Sequence, residues 1–243
     1  MPSVKLSVNV NKVATLRNSR GGNEPNLVES VATCIKAGAP GITVQPRADG
    51  RHIRTEDVHA VAELLKASPH VEYNIEGDPR PDLLDLVLKI RPTQCTLVPV
   101  NPGEVTSQAG WPPGTSVAEI SSIVSQIKKI GVRVSMFVDP VLEAVKWAAA
   151  VGGDRVELYT EPFARAFESG RGAASLKTYA DAADLAHSLR LGVNAGHDLD
   201  LKNLQIFRRL PHLQEVSIGH ALISHALYVG LHQSVGDYLN ALR

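Results

Sequence analysis

Apolar and polar positions alternate along this chain with two different periods, and the two periods take turns. Residues 4–10, VKLSVNV, carry apolar side chains at every second position and predict a strand. A polar stretch, NKVATLRNSRGGNEP, reads as a loop. Asn26 then opens a segment in which Leu27, Val28, Val31 and Ile35 recur at helical spacing, and Asn26 with Glu29 has the form of a capping box. Residues 41–44, GITV, form a short β-branched run between a glycine and a proline, which suits a strand covered on both faces. Thr55 caps a helix carrying Val58, Val61, Leu64 and Leu65, and residues 71–75 make a third strand.

The alternation continues to the end of the chain. Pro81 suits the first turn of a helix carrying Leu83, Leu84, Leu86, Val87 and Ile90, and residues 95–98 follow as strand four. Residues 99–115 form a long Pro/Gly loop containing Trp111, of a length that suits a binding loop or lid. Val117 to Ile130 are periodic as a helix, and residues 132–138 are strand five. Asp139-Pro140 starts the next helix, which Gly152 and Gly153 end. Strand six is 155–159. The stretch TEPFARAFESGRGA reads as a second long loop, in which Phe163 and Phe167 either close over a ligand or belong to a short packed helix. Helices at 176–189 and 201–210 flank strand seven at 192–195. Strand eight is 215–218, and one amphipathic helix runs from His220 through Leu239.

Eight β-then-α units within 243 residues predict a parallel sheet closed as a single-domain (β/α)₈ TIM barrel over residues 1–243. An open nucleotide-binding sheet is disfavoured, because the first turn, NVNKVATLR, has neither GxGxxG nor a P-loop. A hydrophobic content of 44% is enough for one large core. Twenty-five basic residues balance twenty-five acidic ones, so no overall field recruits nucleic acid or a membrane surface, and any anion must be held by local clusters. Cys34 and Cys95 offer no disulfide framework or CxxC pattern and read as buried thiols. No signal pattern or spanning apolar run is present, so the expectation is a cytoplasmic protein.

In a barrel the chemistry sits where the strands end. Strand one delivers Asn9, Asn11 and Lys12 there, with Arg17 and Arg20 in the following loop. Strand two delivers Gln45, Arg47 and His52 around a tight turn, a set suited to holding an anion. Strand three carries Glu72, Asn74 and Glu76 on one alternating face. An inward Glu72 would be desolvated and fit for acid/base work, or it pairs with a neighbouring cation; Glu157 in strand six has the same two readings. Strand seven ends in Gly196, His197 and Asp198. Strand eight ends in Gly219 and His220 before a helix whose N–H groups and dipole suit phosphate. Each of these histidines reads either as a catalyst or as a satisfied imidazole. Strands three to eight offer no rim lysine for Schiff-base chemistry, leaving Lys12 as the one candidate, and no HExxH or His-x-His metal spacing occurs.

The runs SVNVNKVATLRNSRGG, GITVQPRADGRHI, EYNIEGDP, TLVPVNPGEVTS, GVNAGHDL and EVSIGHALI, in this order, resemble the pyridoxine 5'-phosphate synthase family over nearly the whole chain. The resemblance implies a (β/α)₈ barrel assembled as a homo-octamer of dimers. It also implies a reaction without a cofactor or metal, in which 3-amino-2-oxopropyl phosphate and 1-deoxy-D-xylulose 5-phosphate condense to pyridoxine 5'-phosphate, phosphate and water. It assigns Asn9, Arg20, Asp198, Gly219 and His220 to the amino-ketone phosphate. Arg47, His52 and Thr106 go to the deoxyxylulose phosphate, with Asn11 and Lys12 beside it. Glu72 becomes a proton acceptor, His197 the proton donor and Glu157 a further acidic residue. Two departures stand out. Asn11-Lys12 replaces an Asp-His pair common in the family, and Gln45 replaces a proton-accepting histidine. A primary amide does not take up a proton near neutral pH, so a catalytically impaired phosphate-binding barrel is the alternative expectation.

Overall fold

The computed structural model describes residues 4–99 and 108–243. Among these residues eight strands are present: β1 (Lys5–Asn9), β2 (Gly41–Val44), β3 (Glu72–Gly77), β4 (Gln94–Leu97), β5 (Arg133–Val138), β6 (Arg155–Tyr159), β7 (Gly192–Gly196) and β8 (Leu213–Ile218). They pair in parallel in chain order, and β1 also pairs with β8, so the sheet closes into a barrel as the alternation predicts. Among the described residues the outer layer contains α1 (Asn11–Arg20), α2 (Leu27–Lys36), α3 (Thr55–Leu65), α4 (Pro81–Ile90), α5 (Val117–Lys128) and α6 (Leu142–Ala150). It is completed by α7 (Glu161–Glu168), α8 (Gly172–Ser188), α9 (Leu204–Phe207), α10 (His220–Val229) and α11 (Leu231–Ala241).

The apolar core lies between sheet and helices. Outward strand residues such as Leu6, Ile42, Ile75, Leu97, Val134 and Val216 are fully buried against Val31, Val61, Leu83 and Ile127. The lumen is polar instead. Ser7 and Thr43 hydroxyls meet at 2.7 Å, Thr96 donates to Asn74 Oδ1 at 3.0 Å, and Asn194 donates to Glu215 Oε1 at 3.2 Å. Barrels of this class usually fill that space with branched aliphatics, so the strands here alternate polar-in and apolar-out. These buried polar groups are tolerated because they bond to one another across the lumen.

Several expected elements change. The polar stretch after β1 is a helix, α1, because Val10, Val13, Ala14 and Arg17 recur at helical spacing and Arg17 takes the buried position that an apolar residue would normally hold. At α3 the N-cap is Arg54, whose N–H is received by Asp57 Oδ2 at 2.9 Å, so Thr55 is the first helical residue and not the cap. The second long loop is largely α7. Phe163 is fully buried there, 4.8 Å from Phe207 and 5.9 Å from Tyr179 between ring centroids, so it packs and does not act as a lid. The final helix breaks into α10 and α11 at Gly230, whose φ of 85° suits glycine. In the 99–115 loop, residues 100–107 lie outside the described residues. The remainder is tied down: Trp111 Nε1 donates to Leu97 O at 2.9 Å and its ring stacks on Trp147 at 5.7 Å. Cys34 and Cys95 are buried free thiols, as expected.

Candidate active site

The carboxyl ends of the strands surround a cavity of about 320 Å³. Two asparagines join its first wall together. Asn9 Oδ1 accepts from Asn11 N at 3.0 Å, and Asn11 Oδ1 accepts from Gln45 N at 2.9 Å, linking β1, α1 and β2. Asn9 also packs on Gly219, where an added Cβ would come within 3.1 Å of Asn9 Cβ; glycine is what lets β8 approach.

The turn after β2 carries the cationic side. Arg17 holds it from below, pairing with Asp57 through both guanidinium nitrogens at 2.6 and 2.8 Å. Its neighbour Asn18 donates to His52 O at 2.8 Å, and Arg80 donates to Pro46 O at 2.9 Å. Arg17 is thus a buried support and not a rim cation. Arg47, His52 and Lys12 face the cavity. Burial, followed by the charges of Arg47 and Lys12, pushes His52 down to about 4, so it is neutral at neutral pH. His52 Nδ1 is buried with no hydrogen-bond partner among the described residues.

Two carboxyl groups form the floor, Glu76 on β3 and Glu157 on β6. Glu76 is raised to about 8, first by burial and then by the nearby Glu215, with hydrogen bonds from Ser217 and Asn74 acting in the opposite direction. Glu157 is also held well above the carboxylate range by burial and by Glu76 and Glu215. Its carboxyl group rests on Gly196, where a Cβ would lie 2.5 Å from Glu157 Oε1. At neutral pH these groups are therefore proton carriers.

The expectation for Glu72 is corrected. It begins β3, so it lies at the opposite, amino-terminal mouth, where it pairs with Lys5 and Arg133. Burial works against its charge, but those two cations outweigh it and keep the carboxylate ionised. Glu76, four residues further along the same inward face, is the glutamate that reaches the cavity. Arg20 also does not line it, being exposed in the last turn of α1, about 13 Å beyond Asn11 at roughly 1.5 Å per residue. Thr106 lies outside the described residues. The other residues that the resemblance assigns to the site line the cavity, and Glu76 and Ser217 are among those that line it with them. Alternation placed Glu76 on the inward face in advance; what was missing was where β3 ends.

His197 and Asp198 follow β7 in left-handed conformation, with φ of 81° and 56°. The His197 ring sits 5.2 Å from both Phe137 and Tyr159. Burial and the charges of Lys12 and Arg47 push it down to about 4. Next to them, after the neighbouring strand β8, α10 begins at His220 without a side-chain cap, and Gly219, His220 and Ala221 line the cavity there, where the first N–H groups of the helix are free. Among the described residues no cluster of three or more His, Cys, Asp or Glu side chains is arranged to hold a metal, and no helix is long and apolar enough to cross a membrane.

Comparisons with known proteins show the family. Residues 6–243 match the family described as pyridoxal phosphate biosynthesis protein PdxJ. Pyridoxine 5'-phosphate synthases of Bacteroides fragilis and Cytophaga hutchinsonii are each 50% identical over 240 residues, covering 98% of this chain and 99% of theirs. The enzyme of that name from Porphyromonas gingivalis is 49% identical over 239 residues, covering 98% of each. Among solved structures, a 3-hexulose-6-phosphate synthase superposes with a TM-score of 0.64 at 12% identity, covering 99% of this chain and 100% of that one; this likeness speaks for the fold alone. With a family match over nearly its whole length and half its positions shared with such relatives, the chain belongs to the PdxJ family and is a synthase of vitamin B6 biosynthesis.

Proposed function

We propose that this protein condenses 3-amino-2-oxopropyl phosphate with 1-deoxy-D-xylulose 5-phosphate to pyridoxine 5'-phosphate, phosphate and water. The observation that carries this reading is one cavity lined by Asn9, Gly219 and the start of α10, by Arg47, His52 and Lys12, and by the two buried carboxyl groups of Glu76 and Glu157, whose pKa values burial raises. The open N-terminus of α10, with Asn9 and His220, suits one phosphate; Arg47, His52 and Lys12 suit the other. Asp198 stands beside His220 on the first side. The substrate amine supplies the nucleophile for imine formation, so the protein's part is to orient the two molecules and move protons.

Glu76 and Glu157 donate protons to oxygens that leave as water and recover them from the amine and from carbon during ring closure. His197 is neutral before substrate arrives. Burial is the larger cause of that neutrality and the charges of Lys12 and Arg47 the smaller; a bound phosphate offsets those charges and so favours proton uptake by the imidazole, which returns the proton in the dehydration steps. Gln45 donates and accepts hydrogen bonds where a base would otherwise stand, orienting substrate or water. Gln45 also supports a second reading, a barrel that binds both phosphates and turns them over poorly. The test is to incubate the protein with both substrates and follow pyridoxine 5'-phosphate by mass spectrometry, with each substrate alone as control. Product only from the mixture supports the first reading. Binding of both without product supports the second.

The proposal extends to a homo-octamer built from dimers in the cytoplasm, one barrel domain per chain, with no nucleic acid or membrane partner. Leu227 and Tyr228 on α10, 73% and 88% exposed, and Leu16 on α1, 52% exposed, give apolar surface for contacts between copies. Light scattering after size-exclusion chromatography reads the assembly mass.

A further inference from the structure

His197 and Asp198 are consecutive non-glycine residues in the left-handed region, with φ of 81° and 56°. Such a pair persists only where its surroundings hold it. Two side chains hold this one. Thr160 is fully buried; its N–H donates to Gly196 O at 2.9 Å, and its hydroxyl is shared between Gly196 O at 2.5 Å and His197 O. Asn203, only 3% exposed, donates from Nδ2 to Asp198 O at 2.9 Å and accepts from Asp200 N at 2.9 Å.

Both residues occupy the N-cap position of a helix, Thr160 before α7 and Asn203 before α9, and neither side chain caps its helix. Thr and Asn at that position ordinarily accept a first-turn N–H. Here both point instead at the carbonyls of the same turn. One arrives from the end of β6, the other from beyond the turn itself. The ring they aim lies between Phe137 and Tyr159 at the wall of the cavity. Tyr159 is fixed in turn, its carbonyl receiving the Tyr179 hydroxyl at 2.8 Å.

We propose that Thr160 and Asn203 are positioning residues that clamp the His197–Asp198 turn and so set where the His197 imidazole presents its nitrogen. This rests on His197 moving a proton in the reaction proposed above. A purely structural duty, satisfying buried carbonyls, would show in stability alone.

The experiment compares Thr160→Val, Thr160→Ser and Asn203→Asp with the unaltered protein. It reads kcat and KM for pyridoxine 5'-phosphate formation, together with the His197 ring Cε1–H resonance. Val matches threonine in shape and lacks the hydroxyl; Ser restores the hydroxyl. Asp at 203 keeps an oxygen for Asp200 N–H and loses the donor to Asp198 O. The clamp predicts that Thr160→Val and Asn203→Asp lower kcat by about 10- to 100-fold with KM changed by less than about threefold, the cost of a small misplacement. It predicts that Thr160→Ser returns kcat to within about threefold of the unaltered protein. The His197 resonance, shifted by its two aromatic neighbours, moves in the first two variants and not in Thr160→Ser. If Thr160→Val does not fold, Asn203→Asp decides. An unchanged kcat and an unmoved resonance in the folded variants overturn the clamp. If the unaltered protein makes no product, the proposed reaction fails, and the resonance alone still supports or overturns the clamp.

Discussion

Glu72 and Glu76 share one inward face of β3 and stand at opposite mouths of the barrel, about 13 Å apart along the strand at roughly 3.3 Å per residue. The first is ionised and tied to Lys5 and Arg133; the second is buried beside Glu157 and protonated at neutral pH. Identical side chains on one strand thus have opposite charge states and opposite duties. Their surroundings decide: two cations at one end, burial and a neighbouring carboxyl group at the other.

Gln45 lies at the cavity wall, its N–H bound to Asn11 Oδ1 at 2.9 Å. That bond is to the backbone, so Gln45→His keeps it and adds a group able to take a proton. If the site is active as proposed, kcat rises by about tenfold or more, toward the 10²- to 10⁴-fold typical of general-base help. A steady-state comparison of the two proteins checks this; a change within twofold favours the impaired barrel.

Arg17 and Asp57 form a buried pair under the turn that carries Arg47 and His52. Arg17→Met leaves the Asp57 carboxylate buried without its main partner, and the expected loss is about 3–5 kcal/mol of unfolding free energy. Urea denaturation reads it. Arg17→Met combined with Asp57→Leu recovers part of the loss, because no lone charge then remains.

The eight-fold alternation made the barrel legible, and glycines, asparagines and histidines at strand ends marked the mouth where the cavity lies. What escaped were matters of where elements stop and what substitutes for an apolar residue. Periodicity ends β3 at Ile75, whereas pairing of Glu76 with Thr96 and Gly77 with Leu97 carries the strand on and lifts Glu76 to the rim. The helix α1 hides because Arg17 occupies a core position by virtue of Asp57, forty residues away in sequence. Phe163 has no visible partner until α8 and α9 bring Tyr179 and Phe207 against it. Each is a tertiary contact overriding a local pattern.

The depressed His52 makes a stability prediction with a definite sign. Its imidazole is neutral in the folded protein down to about 4, while in the unfolded chain it binds a proton near pH 6.5. The unfolded state therefore gains protons first, and this contribution to stability is lost as pH falls from 6.5 toward 4. The raised Glu76 and Glu157 carboxyl groups run the other way, so a difference against a variant isolates the histidine. Relative to His52→Gln, the unaltered protein loses stability on acidification by up to about 1.4 kcal/mol per pH unit. Paired urea melts between pH 4 and 6.5 measure it.

The most direct test of the central claim, that the carboxyl mouth of the barrel performs the condensation through buried carboxyl groups, is the rate of pyridoxine 5'-phosphate formation by Glu76→Gln set against Glu72→Gln. Glutamine keeps the shape of each side chain and removes the transferable proton. Glu76→Gln is predicted to lose about 10²- to 10⁴-fold in kcat, and Glu72→Gln to stay within a few-fold of the unaltered protein. Loss of turnover in Glu72→Gln with normal turnover in Glu76→Gln would contradict the account.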